Sequence, residues 1–147
     1  IDNRIFYGIS TFDTTHYDGT SALFFNKTMA NSYNIENLYD LVRENNWTID
    51  KMTELVGQVS TDKDGDGVYT ADDVTGLLTE YFEYYVVGGG VLFTEKNEKD
   101  IPVVNCINER TYDVIQKVKK LMSVPNCTVS YAEAWEQLKP ARDLVGM

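Results

Sequence analysis

Residues 45–73 read NNWTIDKMTELVGQVSTDKDGDGVYTADD, an apolar-striped segment running straight into an acidic loop. Thr48 supplies a side-chain oxygen where a helix would begin. Ile49, Met52, Leu55, Val56 and Val59 then recur at helical spacing and define one apolar face. Counted from Asp62, aspartates stand at loop positions 1, 3 and 5, glycine at 6 and aspartate at 12. In so tight a loop Asp62, Asp64 and Asp66 alternate inward, and Gly67 permits the sharp turn. Val68 offers its backbone carbonyl, and Asp73 closes the set from the next element. A large hard cation needs several oxygen donors at once, so this spacing predicts calcium. Three clustered carboxylates also repel one another unless a cation compensates them.

Calcium sensors carry such loops in pairs and open a methionine-rich groove. Here there is one loop, and Met29, Met52, Met122 and Met147 are scattered. Asp73 is one methylene shorter than the glutamate usual at the last position, which weakens bidentate closure. The loop is therefore expected to fasten two elements together rather than to signal.

After the loop, Thr70 is placed to cap a third helix, with Asp72 and Asp73 in its first turn. Val74, Leu77, Leu78, Tyr81, Phe82 and Tyr85 would form its stripe, and Gly88-Gly89-Gly90 would end it. Upstream, RIFYGIS (4–10) and SALFFNK (21–27) read as short buried strands around the polar loop TFDTTHYDGT (11–20). TMANSYN (28–34) is helix-prone, and Leu38, Leu41 and Val42 suggest a short helix over 35–44. Downstream, VLFTEKNEKDIPVVNC (91–106) reads as an extended segment, a charged turn and a strand beginning near Pro102. NERTYDVIQKVKKLMSV (108–124) is the clearest helix, with Thr111, Val114, Ile115, Val118, Leu121 and Met122 on one face. Ser130 fits a capping box ahead of a last helix, Tyr131 to Lys139, in which Trp135 and Leu138 would pack inward. The pattern predicts a helix-rich α/β chain forming one domain over 1–147.

With 23 acidic against 13 basic residues, the net charge of −10 opposes binding to phosphate backbones, so no nucleic acid is expected as a partner. The longest apolar run, near Val86 to Phe93, is broken by glycines and falls far short of the roughly 20 residues that cross a bilayer. Cys106 and Cys127 allow one disulfide or two separate buried thiols.

The order of motifs resembles the extracellular solute-binding proteins of bacterial carbohydrate ABC importers. The likeness rests on RIFYGIS, SALFFNK, residues 45–73, EYYVVGGGVLF (83–93) and VVNCINERTYDVIQKVKKL (103–121), and it covers nearly the whole chain. That family has a Tyr-Gly strand, an Asn-Lys strand, a Trp-containing helix start and a late Gly-Gly segment in this order. The resemblance implies one lobe of a two-lobed periplasmic-binding-protein-like (type II) fold, here most of the C-terminal lobe. It also implies a carbohydrate ligand, an N-terminal lobe as partner, and delivery to the membrane subunits of an ABC importer. The location it implies is the extracellular cell surface, with a lipid anchor upstream. Dockerins share the loop spacing, but they are short and carry two loops.

Sugar sites combine aromatic faces, which stack on pyranose rings, with polar groups for the hydroxyls. Phe12, His16 and Tyr17 lie in the loop that the resemblance puts at the cleft. Tyr84 and Tyr85 precede the glycines, and Tyr85 also falls on the apolar stripe. Trp47 stands at a helix start, where a packing role competes with a ligand role. His16 has no second histidine or cysteine to complete a metal set and no serine nucleophile signature around it. No catalytic residue is assigned, and the chain is expected to be non-catalytic. Two alternatives remain: a calcium-stabilised extracellular scaffold or adhesion module, and a glycoside-active fragment using Asp13 and Asp18.

Overall fold

The computed structural model describes residues 4, 20–70, 72–79, 82–125 and 128–130, the last three by their backbone. Within them lie five helices: α1 (Lys27–Ser32), α2 (Leu38–Arg43), α3 (Ile49–Val59), α4 (Glu83–Gly88) and α5 (Glu109–Met122). Strand β1 (Leu77–Thr79) pairs in parallel with β4 (Thr128–Ser130), Leu77 opposite Thr128. Strand β2 (Thr94–Lys96) pairs antiparallel with β3 (Pro102–Val104), Thr94 opposite Val104. The described chain is thus a small mixed α/β domain.

Side-chain caps explain where four of the helices begin, because each accepts an N–H that the helix itself cannot satisfy. Asn26 accepts from Met29 N at 3.0 Å, Asn37 from Tyr39 N at 3.1 Å, Thr48 from Lys51 N at 3.1 Å and Asn108 from Thr111 N at 2.9 Å. α5 ends at Met122 with Lys119 and Lys120 in its last turn, where cations complement the exposed carbonyls.

α3 buries Met52, Leu55, Val56 and Val59 as its spacing predicts, and α5 buries Thr111, Val114, Val118 and Leu121. The two helices pack on each other and divide the core in two. One cluster joins Met52, Val56, Leu77 and Leu121; the other joins Val86, Val91, Val114 and Val118. Ile49 and Tyr85 pack against both and stitch them together. Ile115, placed on the same face of α5 from sequence, is exposed.

The segment after the acidic loop departs from expectation. Instead of one helix running from Thr70 past Tyr85, the chain makes a turn, then β1, and only then α4. A short apolar run fits either period, and the packing decides it. A Cβ at Gly76 would stand 2.5 Å from the Val56 carbonyl oxygen and 2.5 Å from Ser60 Oγ, so the backbone here presses directly on the end of α3. Leu77 is buried and its neighbour Leu78 half-exposed, the alternation of a strand. Thr70 caps no helix; its N–H and hydroxyl both donate to Asp73.

Residues 21–26 also differ from the buried strand expected of SALFFNK. They carry no ladder among the described residues, and Phe24 is 90% exposed. Asn26 is used as the α1 cap, and Phe25 is held edge-on against the Tyr39 ring at 5.4 Å. Ser130 ends β4. The expected strand 4–10, the last helix and Cys127 lie outside the described residues, except for Arg4; Cys106 carries a free thiol.

Leu121 has no exposed surface, so Leu121→Ala should cost about 2–5 kcal/mol by urea unfolding. Gly76→Ala should cost about 1–3 kcal/mol through overpacking. A Cβ at Gly88 meets nothing within 4 Å, and Gly88→Ala should leave stability within about 1 kcal/mol.

Candidate functional site

The acidic loop is closed at its base by the chain itself. Thr61 and Val74 exchange two backbone hydrogen bonds, each 3.0 Å, as an isolated antiparallel bridge. Between them Gly65 and Gly67 take φ of 74° and 78°, a region that disfavours side chains and lets the loop coil inward. Asp62 is the hub: Gly65 N donates to its Oδ1 at 2.7 Å and Gly67 N to its Oδ2 at 2.9 Å. Asp64 Oδ1 accepts from Asp66 N at 3.2 Å, and Asp66 Oδ1 from Val68 N at 2.6 Å.

These bonds turn the three carboxylates toward one another. Asp62, Asp64 and Asp66 each contribute an oxygen, and the oxygens lie within 4.8 Å of one another, so the cluster can hold a metal ion. The donors are all hard oxygens, which suits a hard cation and not a soft one.

Asp73 is not brought into that cluster. Its Oδ1 accepts from Lys63 N at 2.9 Å and its Oδ2 from Thr70 N at 2.7 Å, so it bridges the two arms of the loop. The Thr70 N–H, and next the Lys63 N–H, hold its carboxyl below the ordinary 3.8. A depressed folded-state pKa contributes stability that is present above the ordinary value and is lost as pH falls through the folded one. Val68, two residues after Asp66, has an exposed side chain.

A second feature lies at the other end of α3. A groove of about 590 Å³ runs between the start of α3, α4 and the first half of α5. It draws together Trp47, Tyr84 and Tyr85, three of the residues singled out from sequence. Trp47 is half-buried and packs on the Met52–Leu121 cluster, and Tyr85 packs on both clusters. Tyr84 is 55% exposed and is the most available ring of the three. Phe12, His16 and Tyr17 lie outside the described residues, as do Asp13 and Asp18.

The groove also contains charged residues that sequence reading passed over: Asp50, Arg110, Asp113 and Lys117. The three on α5 stand at intervals of three and four, so they line one side of the helix beside buried Val114 and were legible in principle. Lys117 Nζ lies 3.4 Å from Asp50 Oδ2 and 3.3 Å from Asp113 Oδ2, tying α3 to α5. Asp113 first, through its hydrogen bond and charge, and then Asp50 raise the Lys117 pKa above its ordinary 10.5. Arg110 donates from Nε to the Gly89 carbonyl at 3.0 Å, with a second bond from Nη2. A Cβ at Gly89 would meet Val114 Cγ1 at 2.6 Å, so only glycine lets the end of α4 lie this close to α5.

Comparison with protein-family models, curated proteins and solved structures finds no match.

Titration of metal-stripped protein with a divalent cation should raise the melting temperature, and Asp62→Ala with Asp66→Ala should abolish the rise. Asp73→Asn should act differently, lowering the melting temperature even in chelator at neutral pH. That deficit should shrink once the pH is below 3.8 and close as it falls through the lower folded-state value, where the native carboxylate is protonated too.

Proposed function

We propose that the chain binds a sugar or oligosaccharide without catalysis, as part of an extracellular solute-binding protein serving the membrane subunits of an ABC importer. The observation that carries the reading is the groove that gathers Trp47, Tyr84 and Tyr85 beside Asp50, Asp113 and Lys117. Aromatic faces take the C–H faces of a pyranose ring, and charged groups make the stronger hydrogen bonds to its hydroxyls. Residues 37 and 38 positions apart in sequence, Trp47 with Tyr84 and Tyr85, are otherwise unrelated in local structure. The motif order of the chain supports the transport setting, in which a second lobe closes over the ligand.

In this reading the acidic loop holds calcium as a fastener. Its oxygen donors, their alternation and the two left-handed glycines favour a large hard cation. A cation there stabilises the junction between α3 and β1. At a concentration about 100 times its dissociation constant it would add roughly 2.7 kcal/mol.

A saccharide panel read by isothermal calorimetry tests the assignment. Tyr84→Ala should weaken the bound sugar about tenfold, near 1.4 kcal/mol, with the melting temperature unchanged. If no sugar binds while calcium still stabilises the chain, the scaffold or adhesion reading replaces this one.

A further inference from the structure

We propose that the groove selects an uncharged saccharide and turns away its uronic-acid counterparts. The inference rests on the sugar-binding reading above and adds to it the charge class of the ligand.

Among the described residues, the groove is lined by two cations and two carboxylates, and both cations are already committed. Arg110 directs Nε and Nη2 at one backbone carbonyl, that of Gly89. This occupies the Nε/Nη2 edge of the guanidinium, one of the two forks with which an arginine grips a carboxylate, and anchors the group to the end of α4. Lys117 sits between Asp50 and Asp113, and its raised pKa keeps it charged and paired. A ligand carboxylate entering here would meet Asp50 and Asp113, with Lys117 already paired to both and Arg110 tied to the end of α4, inside a chain of net charge −10.

Hydroxyl groups meet the opposite situation. Lys117 meets each aspartate at Oδ2, and two carboxylates hold more lone pairs than one ammonium can occupy, so Asp50 and Asp113 can still accept from hydroxyls. Sugar hydroxyls donate to charged acceptors readily, and the apolar side of the ring has Tyr84 and Trp47 to lie against.

Calorimetry on the full chain, using neutral gluco-, manno- and xylo-oligosaccharides and the matching oligouronides, tests this directly. The wild type should bind a neutral member about tenfold or more tightly than any uronide. Asp50→Asn combined with Asp113→Asn strips both carboxylates from Lys117. It should weaken the neutral sugar about tenfold and let uronide binding appear. Circular dichroism reports whether that variant keeps its helices; if it does not, Asp113→Asn alone, which retains the Asp50–Lys117 pair, should shift the same ratio in the same direction. Preference of the wild type for a uronide would overturn the proposal, as would a variant with an unchanged ratio. Binding of neither class is a separate result, and it would sink the sugar-binding reading itself.

Discussion

The packing of α3 on α5 is the contact on which the rest of the molecule depends. Both halves of the core include residues from it or around it, and Ile49 and Tyr85 reach into each half. α3 carries something different at either end: Trp47 and Asp50 at its start border the groove, and its last turn leads into Asp62. A helix of 11 residues separates the two by about 16 Å, too far for one ion or one sugar ring to touch both. A metal held in the loop would therefore act on the groove only by keeping the far end of α3 in place against β1.

That junction was the hardest part to read from sequence. The two long helices were legible because each has a capping side chain, a sustained stripe and enough turns for the period to be unmistakable. Leu77 and Leu78 offered no such length, and two adjacent apolar residues suit a buried helix as well as a strand. What selects the strand is nonlocal: pairing with residues 128–130, and the close approach of Gly76 to the end of α3. Neither leaves a trace in a local window. In the groove, the aromatic residues were identified by type and position. The Asp50, Asp113 and Lys117 network was missed because charged residues on a helix usually face solvent, and only the crossing of α3 and α5 brings these together.

The loop divides its aspartates between two jobs that spacing alone cannot separate. Asp62, Asp64 and Asp66 converge, a repulsive arrangement that backbone N–H groups partly offset and a cation would offset further. Asp73 has the position of a closing ligand but spends both oxygens on amides from opposite arms of the loop. A shorter side chain favours this outcome, since aspartate reaches nearby N–H groups readily and lacks the extra methylene with which glutamate extends to a central ion. The loop is thereby shaped by its own backbone before any ion is considered.

Precision in the groove has a similar origin. Tyr84 and Tyr85 are neighbours on α4, about 100° apart around the axis, so burying one dictates where the other points. Tyr85 is seated against both halves of the core, and Tyr84 is left on the groove side. α4 is only six residues long and would not hold that setting by itself. It is held because Gly89 lets its end settle on Val114 and because Arg110 grips the Gly89 carbonyl. The exposed ring is thus positioned by a buried neighbour, a missing side chain and an arginine. Of the three, the arginine has the most far-reaching consequence, because the guanidinium that fixes the aromatic wall is the same group that would otherwise receive an anionic ligand.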